Sequence, residues 1–175
     1  YFGEFKIPLK KVMPTEKGEY CDFIALNYYT RTTVSKLGDG TRKQSPKNDL
    51  GWEIYPAGIV KCIRKLYSLI KRPIYITGNG TCDKNDSFRC RYIYEHLKAL
   101  SESGLPVERY YHWSLNDGFE WQDGKSAKFG LIHVNSENQI RTLKKSARFY
   151  NEIIRQRGVN EKIYNEYVRE QEYHL

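Results

Sequence analysis

The sequence predicts an α/β fold, with parallel strands and flanking helices, from three observations. Short apolar runs alternate with stretches of helical periodicity, in the order strand, helix, strand, helix, strand, helix. The two clearest runs, Phe23-Ile24-Ala25-Leu26-Asn27-Tyr28-Tyr29 and Ile74-Tyr75-Ile76-Thr77, are apolar on both faces, as strands of covered parallel sheets are. Proline and glycine stand where the elements should stop, at Pro73 and Gly104.

Taken in order, the first twenty residues are mixed, and Pro8 and Pro14 interrupt any regular element. A strand is expected near 23–29. Arg31 to Asn48, with Gly38-Asp39-Gly40 and Pro46, reads as a long loop of the kind that is functional or mobile. From Pro56 to Lys71, Ile59, Val60, Ile63, Leu66, Tyr67 and Ile70 follow helical spacing. The second strand falls near 73–77, with Gly78-Asn79-Gly80 at its C-terminal end. Asp86 or Ser87 can cap a helix running to about Ser103. A third strand covers 107–115, and the loop Asn116 to Lys128 carries Phe119, Glu120 and Trp121. A short strand at Leu131 to Val134 and C-terminal helices within 143–173 complete one domain, 1–175, without internal repeats.

Composition narrows the function. At 175 residues the chain is long enough for a core, whereas a complete eight-strand α/β barrel takes about 250 and rarely fewer than about 200. A hydrophobic share of 39% and a charged share of 29% exclude a disordered chain. No apolar run approaches a membrane span, so no membrane partner is expected. The net charge of +8 is scattered in pairs such as Lys10-Lys11 and Lys144-Lys145, so no nucleic-acid partner is expected either. The start, Tyr1-Phe2-Gly3, shows no signal-peptide pattern. The four cysteines, Cys21, Cys62, Cys82 and Cys90, lack Cys-x-x-Cys spacing and read as buried or half-buried free thiols of a reducing, cytoplasmic compartment. No metal and no cofactor is implied.

In parallel α/β architectures ligands bind at the C-terminal ends of the strands. Three stretches fall there: Asn27-Tyr28-Tyr29, Thr77-Gly78-Asn79-Gly80, and Trp113-Ser114 leading to Glu120-Trp121. Indoles that stack and Glu or Asn groups that bridge hydroxyls suit a polyhydroxylated ring, although Trp113 and Trp121 also fit as core aromatics.

Together these stretches resemble the C-terminal part of glycoside hydrolase family 1, the β-glucosidase family. DFIALNYYT (22–30) resembles its sixth barrel strand, and LGWEIYP (50–56) the entry to the following helix. PIYITGNGTCD (73–83) resembles the seventh strand with its signature, and YYHWSLNDGFEWQDGKSAKFG (110–130) the eighth strand and its loop. The resemblance implies about three βα units of a TIM (β/α)8 barrel. It places Asn27 and Tyr29 beside the nucleophile, Trp113 under the sugar ring, Glu120 on two sugar hydroxyls, Trp121 as an indole donor and Phe129 as a wall. Ser126 and Lys128 reproduce the 6-phosphoglycoside arrangement poorly, so a plain β-glycoside or glucose-like sugar ranks first.

Two departures bear on chemistry. The family's Ile-Thr-Glu-Asn-Gly signature supplies the nucleophile as its Glu, and here that position is Gly78. The acid/base belongs to an Asn-Glu-Pro motif, which does not occur in the sequence. Retaining hydrolysis needs two carboxyls about 5–5.5 Å apart. Asp117 and Asp123, the other acids of the loop, read as turn or rim residues. A β-glucosidase-like chain without hydrolysis is therefore expected, truncated against the family and inactive alone. Its partners are a sugar held weakly, the missing barrel half, or a second copy. A non-catalytic sugar-binding module is the alternative.

Overall fold

The computed structural model describes residues 20–35 and 38–175. The reading of Pro8 and Pro14 lies outside these residues. Strands β1 (Ile24–Asn27), β4 (Ile74–Asn79) and β5 (Val107–His112) form a three-stranded parallel sheet in the order β1-β4-β5. Helices α1 (Pro56–Leu69) and α2 (Arg89–Ser101) make the crossovers. The predicted strand–helix alternation is thus present, with β4 running on through Gly78 and Asn79 and β5 stopping three residues short of Leu115.

One face of the sheet is covered. Ile24, Ile74 and Ile76 pack with Ile59 and Ile63 of α1 and Leu100 of α2. Burial of such side chains contributes on the order of 2 kcal/mol each. The apolar stripe of α1 turns inward, and Pro56 opens the helix where its missing N–H costs nothing. Gly58 is required: a Cβ there would lie 2.0 Å from the Tyr28 hydroxyl, which donates to the Tyr55 carbonyl at 2.7 Å. Arg31 pairs with the buried Glu53 and fixes the approach to α1.

Several expectations are corrected. The polar stretch after β1 contains an antiparallel hairpin, β2 (Thr33–Ser35) with β3 (Gly38–Gly40). The strand at Ile132–Val134 (β6) does not join the parallel sheet. It pairs antiparallel with β7 (Arg141–Leu143), a three-residue exposed strand with no apolar alternation to announce it. Helices α3 (Lys145–Gln156) and α4 (Glu161–Tyr167) follow, the second shorter than its polar-aromatic pattern suggested and capped by Asn160, which accepts from Ile163 N at 2.9 Å. Neither Asp86 nor Ser87 caps α2. The Asp83 carboxylate accepts from the backbone N–H groups of Ser87, Phe88 and Arg89 at 2.9–3.0 Å. Asp86 is spent elsewhere, on Arg89 and on Ser146 at the start of α3. Two cysteines also depart from expectation: Cys82 and Cys90 are buried, but Cys21 and Cys62 are exposed. Among the described residues no helix is long and apolar enough to cross a membrane.

A polar hub joins the layers. Asn79, fully buried, donates from Nδ2 to the Tyr28 carbonyl at 2.6 Å and to the Tyr92 hydroxyl at 2.9 Å, and accepts from the Tyr110 hydroxyl at 2.8 Å. One side chain thereby links the end of β1, helix α2 and strand β5. Truncation strands three polar groups away from water, each costing about 1–3 kcal/mol when unpaired. Asn79→Ala is expected to lower unfolding stability by roughly 3 kcal/mol or more, read from urea midpoints.

Two buried histidines add a pH dependence. Burial lowers His96 from 6.5 to about 4, opposed by its contact with the Tyr92 carbonyl. His112 falls to about 3, through burial first and then the positive charge of Arg89. The unfolded chain therefore binds protons that the folded chain refuses once pH drops below about 6.5. Their contribution is complete above that value. It is lost as pH falls toward about 4 for His96 and about 3 for His112. Urea midpoints should fall between pH 7.5 and 4.5, and His96→Gln should flatten that slope.

Candidate active site

The C-terminal ends of β1, β4 and β5 meet at one rim. Register pairs Asn27 with Gly78, and Tyr28 N donates to the Gly78 carbonyl at 2.9 Å, so the residues flanking Tyr28 stand beside the β4 end. Trp113 N donates to the Asn79 carbonyl at 2.8 Å and brings the end of β5 alongside. Gly80 makes this approach possible, since a Cβ there would lie 1.8 Å from the Trp113 carbonyl oxygen. The Trp113–Ser114 peptide bond is cis.

At Gly78 the space a side chain would need is taken. A Cβ would lie 2.6 Å from the Tyr29 hydroxyl and 2.9 Å from Asn27 Oδ1. Thr77 fixes the latter by donating to Asn27 Oδ1 at 2.7 Å. Burial raises the Tyr29 phenol above its ordinary range, and the negative charge of Glu120 raises it further. Trp113 is half-exposed, its Nε1 3.4 Å from Glu120 Oε1. Glu120 is held by a tight turn in which its N–H donates to the Gly124 carbonyl at 2.9 Å, with Gly124 at φ 64°.

Of the residues singled out in the sequence, Asn27, Tyr29, Gly78, Trp113 and Glu120 come together. Two do not join them. Trp121 is 92% exposed and stands in solvent. Phe129 is 4% exposed and packs with Cys82 and Ala127 against Trp52, whose ring centroid is 5.8 Å away, so it offers a ligand almost no surface. Its loop neighbour Asp117 is corrected from a rim acid to a buried anchor. Its carboxylate accepts from Lys144 Nζ and Gly130 N, both at 2.9 Å, and lies 3.2 Å from His133 Nδ1. Thr77 and Asn79 belong to the Thr77-Gly78-Asn79-Gly80 stretch placed at the strand ends from sequence, which gives neither a role of its own. The Gly-Asn-Gly run marked the place, but only the register shows which side chain faces which neighbour. Among the described residues no three His, Cys, Asp or Glu side chains converge as metal ligands.

Comparison with known proteins gives this rim a context. The model of Glycosyl hydrolase family 1 matches residues 15–159. A β-galactosidase of Sulfolobus acidocaldarius is 35% identical over 162 residues, covering 81% of this chain and 33% of its own. β-Glucosidase A of Thermotoga maritima is 34% identical over 167 residues, covering 84% of this chain and 37% of its own. Among solved structures, the β-glycosidase from Pyrococcus horikoshii superposes with a TM-score of 0.76 at 32% identity over 86% of this chain and 38% of that one. The Thermotoga maritima β-glucosidase in complex with azafagomine gives 0.73 at 30% identity, over 81% and 36%. The chain spans about a third of the length of the curated relatives it matches. Its parallel strand–helix units correspond to part of their (β/α)8 barrel, and the chain belongs to glycosyl hydrolase family 1.

Proposed function

We propose that this chain is a β-glucosidase-like protein of carbohydrate metabolism that presents the sugar-contacting wall of a β-glycoside site and does not itself hydrolyse glycosides. The observation that carries the reading is Gly78. The position that resembles the family's nucleophile holds no carboxylate, and the Tyr29 hydroxyl and Asn27 amide fill the place of its Cβ. An Asn-Glu-Pro acid/base motif does not occur in the 175 residues. Neither half of a retaining carboxylate pair is supplied by this chain.

Substitutes are poorly suited. A phenol attacks as phenolate, and Tyr29 is held protonated by burial and by Glu120, so it serves as a hydrogen-bond donor. Glu120 is engaged with the Trp113 indole, an arrangement that supports sugar contact: a half-exposed ring face for stacking beside a carboxylate that accepts from hydroxyls. The relatives' names, β-glucosidase and β-galactosidase, support a β-linked glucoside or galactoside as the ligand. Four free cysteines suit a reducing, cytoplasmic compartment.

Incubation with 4-nitrophenyl β-glucoside and β-galactoside should release no nitrophenol above buffer. Turnover that disappears in Glu120→Gln would overturn the non-catalytic reading. Calorimetric titration with cellobiose should give weak, saturable heat, with Kd near millimolar, about −4 kcal/mol, that Trp113→Ala abolishes. A flat titration at high sugar would overturn the binding reading.

The two rim glycines should also separate in thermal unfolding. Gly78→Ala meets only the tips of Tyr29 and Asn27, which can yield, and is expected to cost about 1–3 kcal/mol. Gly80→Ala meets the Trp113 backbone and should cost clearly more.

A further inference from the structure

We propose that the outer face of helix α1 is a docking surface for an anionic phospholipid bilayer, held at the headgroup level by Lys61, Arg64, Lys65, Lys71 and Arg72 and by the exposed side chain of Leu69. The inference goes beyond the sugar-binding reading and rests on a different surface.

Charge is concentrated there. Between Ile54 and Cys82 the sequence carries five cations, those of this face, and no Asp or Glu. Along the chain they stand as a single residue and two pairs. Winding into a helix gathers them: Lys61, Arg64, Lys65 and Ser68 recur at the three- and four-residue spacing that lines one side, opposite the buried Ile59 and Ile63. Lys71 and Arg72 follow directly after the helix, at the end where Leu69 lies. The partners of Lys61, Arg64 and Lys71 are neutral. Lys61 donates to the Tyr55 hydroxyl at 2.7 Å, Arg64 reaches the Ser103 carbonyl at 3.4 Å, and Lys71 Nζ lies 4.3 Å from the centre of the Tyr67 ring. Their charge is therefore not cancelled locally.

Two apolar side chains select the occupant. Leu69 is 74% exposed and Ile70 43% exposed, with Lys65 one turn before them and Lys71 and Arg72 directly after. A leucine standing in water among cations adds nothing to contact with a nucleic-acid backbone, which is met by charge. At a bilayer it enters the boundary between headgroups and acyl chains while the cations meet the lipid anions. The inner stripe of α1, with Ile59 and Ile63, is already packed on the strands, so the helix cannot insert deeply. Attachment is electrostatic, shallow and reversible, and it needs no spanning helix. It also leaves the sugar rim open to solution. Helix α1 ends where β4 begins, so Leu69 and Lys71 stand at the opposite end of the sheet from Gly78 and Trp113.

The test sediments the full chain with vesicles of phosphatidylcholine alone and of phosphatidylcholine with about 30% phosphatidylserine. At about 0.1 M salt the chain should pellet with the anionic vesicles only, and about 0.5 M salt should release it. A cation near the surface is worth about fivefold in binding, so Lys61→Gln combined with Lys65→Gln should weaken it about twentyfold. Arg155→Gln combined with Lys162→Gln removes the same charge from exposed positions on α3 and α4 and should change binding by about twofold at most. Leu69→Ser should weaken vesicle binding about fivefold and leave binding to a labelled DNA duplex unchanged. Failure to pellet with anionic vesicles, or equal pelleting with neutral ones, would overturn the proposal. So would equal losses in the two charge-neutralised pairs, or a Leu69→Ser chain that holds anionic vesicles as tightly as the original. Tighter binding to the DNA duplex than to anionic vesicles would replace the bilayer with a nucleic-acid partner.

Discussion

A single buried amide organises the rim. Asn79 spends one donor on the last turn of backbone after β1, the other on α2, and its acceptor on β5. In a water-excluded interior each of these bonds is worth more than at the surface, and each group left single costs accordingly. The consequence reaches beyond stability. Gly78 precedes Asn79 and Gly80 follows it, so the hub fixes the level at which the β4 end meets Tyr29 on one side and Trp113 on the other. The levels of Tyr29, Gly78 and Trp113 follow from that anchor, whereas Glu120 is set by its own turn.

The surroundings of Gly78 illustrate how packing answers the absence of a side chain. Proteins tolerate few empty spaces larger than water, because the lining atoms forfeit their contacts. Tyr29 and Asn27 both have long or polar tips close by, and these tips occupy the place. The glycine therefore leaves no open hole. Tyr29 and Asn27 close over it on the same rim that carries Trp113 and Glu120.

Much of the fold was legible because local and global signals agreed. Strands β1 and β4 are runs of apolar residues whose Ile24, Ile74 and Ile76 are buried, and Pro56 to Leu69 keeps helical spacing on one face, so both element types could be read locally, although the runs did not show that the other face of the strands is exposed at Ala25, Asn27 and Thr77. Legibility failed where the stabilising partner is remote or polar. Asp83 stands six residues before the first residue of α2 and caps it through an intervening turn, which hides it behind the better-spaced Asp86 and Ser87. Strand β7 is three exposed residues whose existence depends on β6 rather than on its own sequence. At the site, aromatic character alone did not separate roles. Trp113, Trp121 and Phe129 read alike, yet one is half-exposed at the rim, one stands in solvent and one is core.

The Asp117 anchor has a kinetic meaning. Its carboxylate is buried and takes Lys144 from the start of α3 and Gly130 from the far end of the loop that carries Glu120. Burial pulls the Lys144 ammonium below its ordinary range while Asp117 supports its charge, so separating them exposes two ions to an interior unfit for either. A loop pinned in this manner does not swing aside as a lid does. For the proposed sugar ligand, the consequence would be a Trp113–Glu120 corner already in place before binding, with its loop tied down at Asp117 and Gly130 rather than completed by closure.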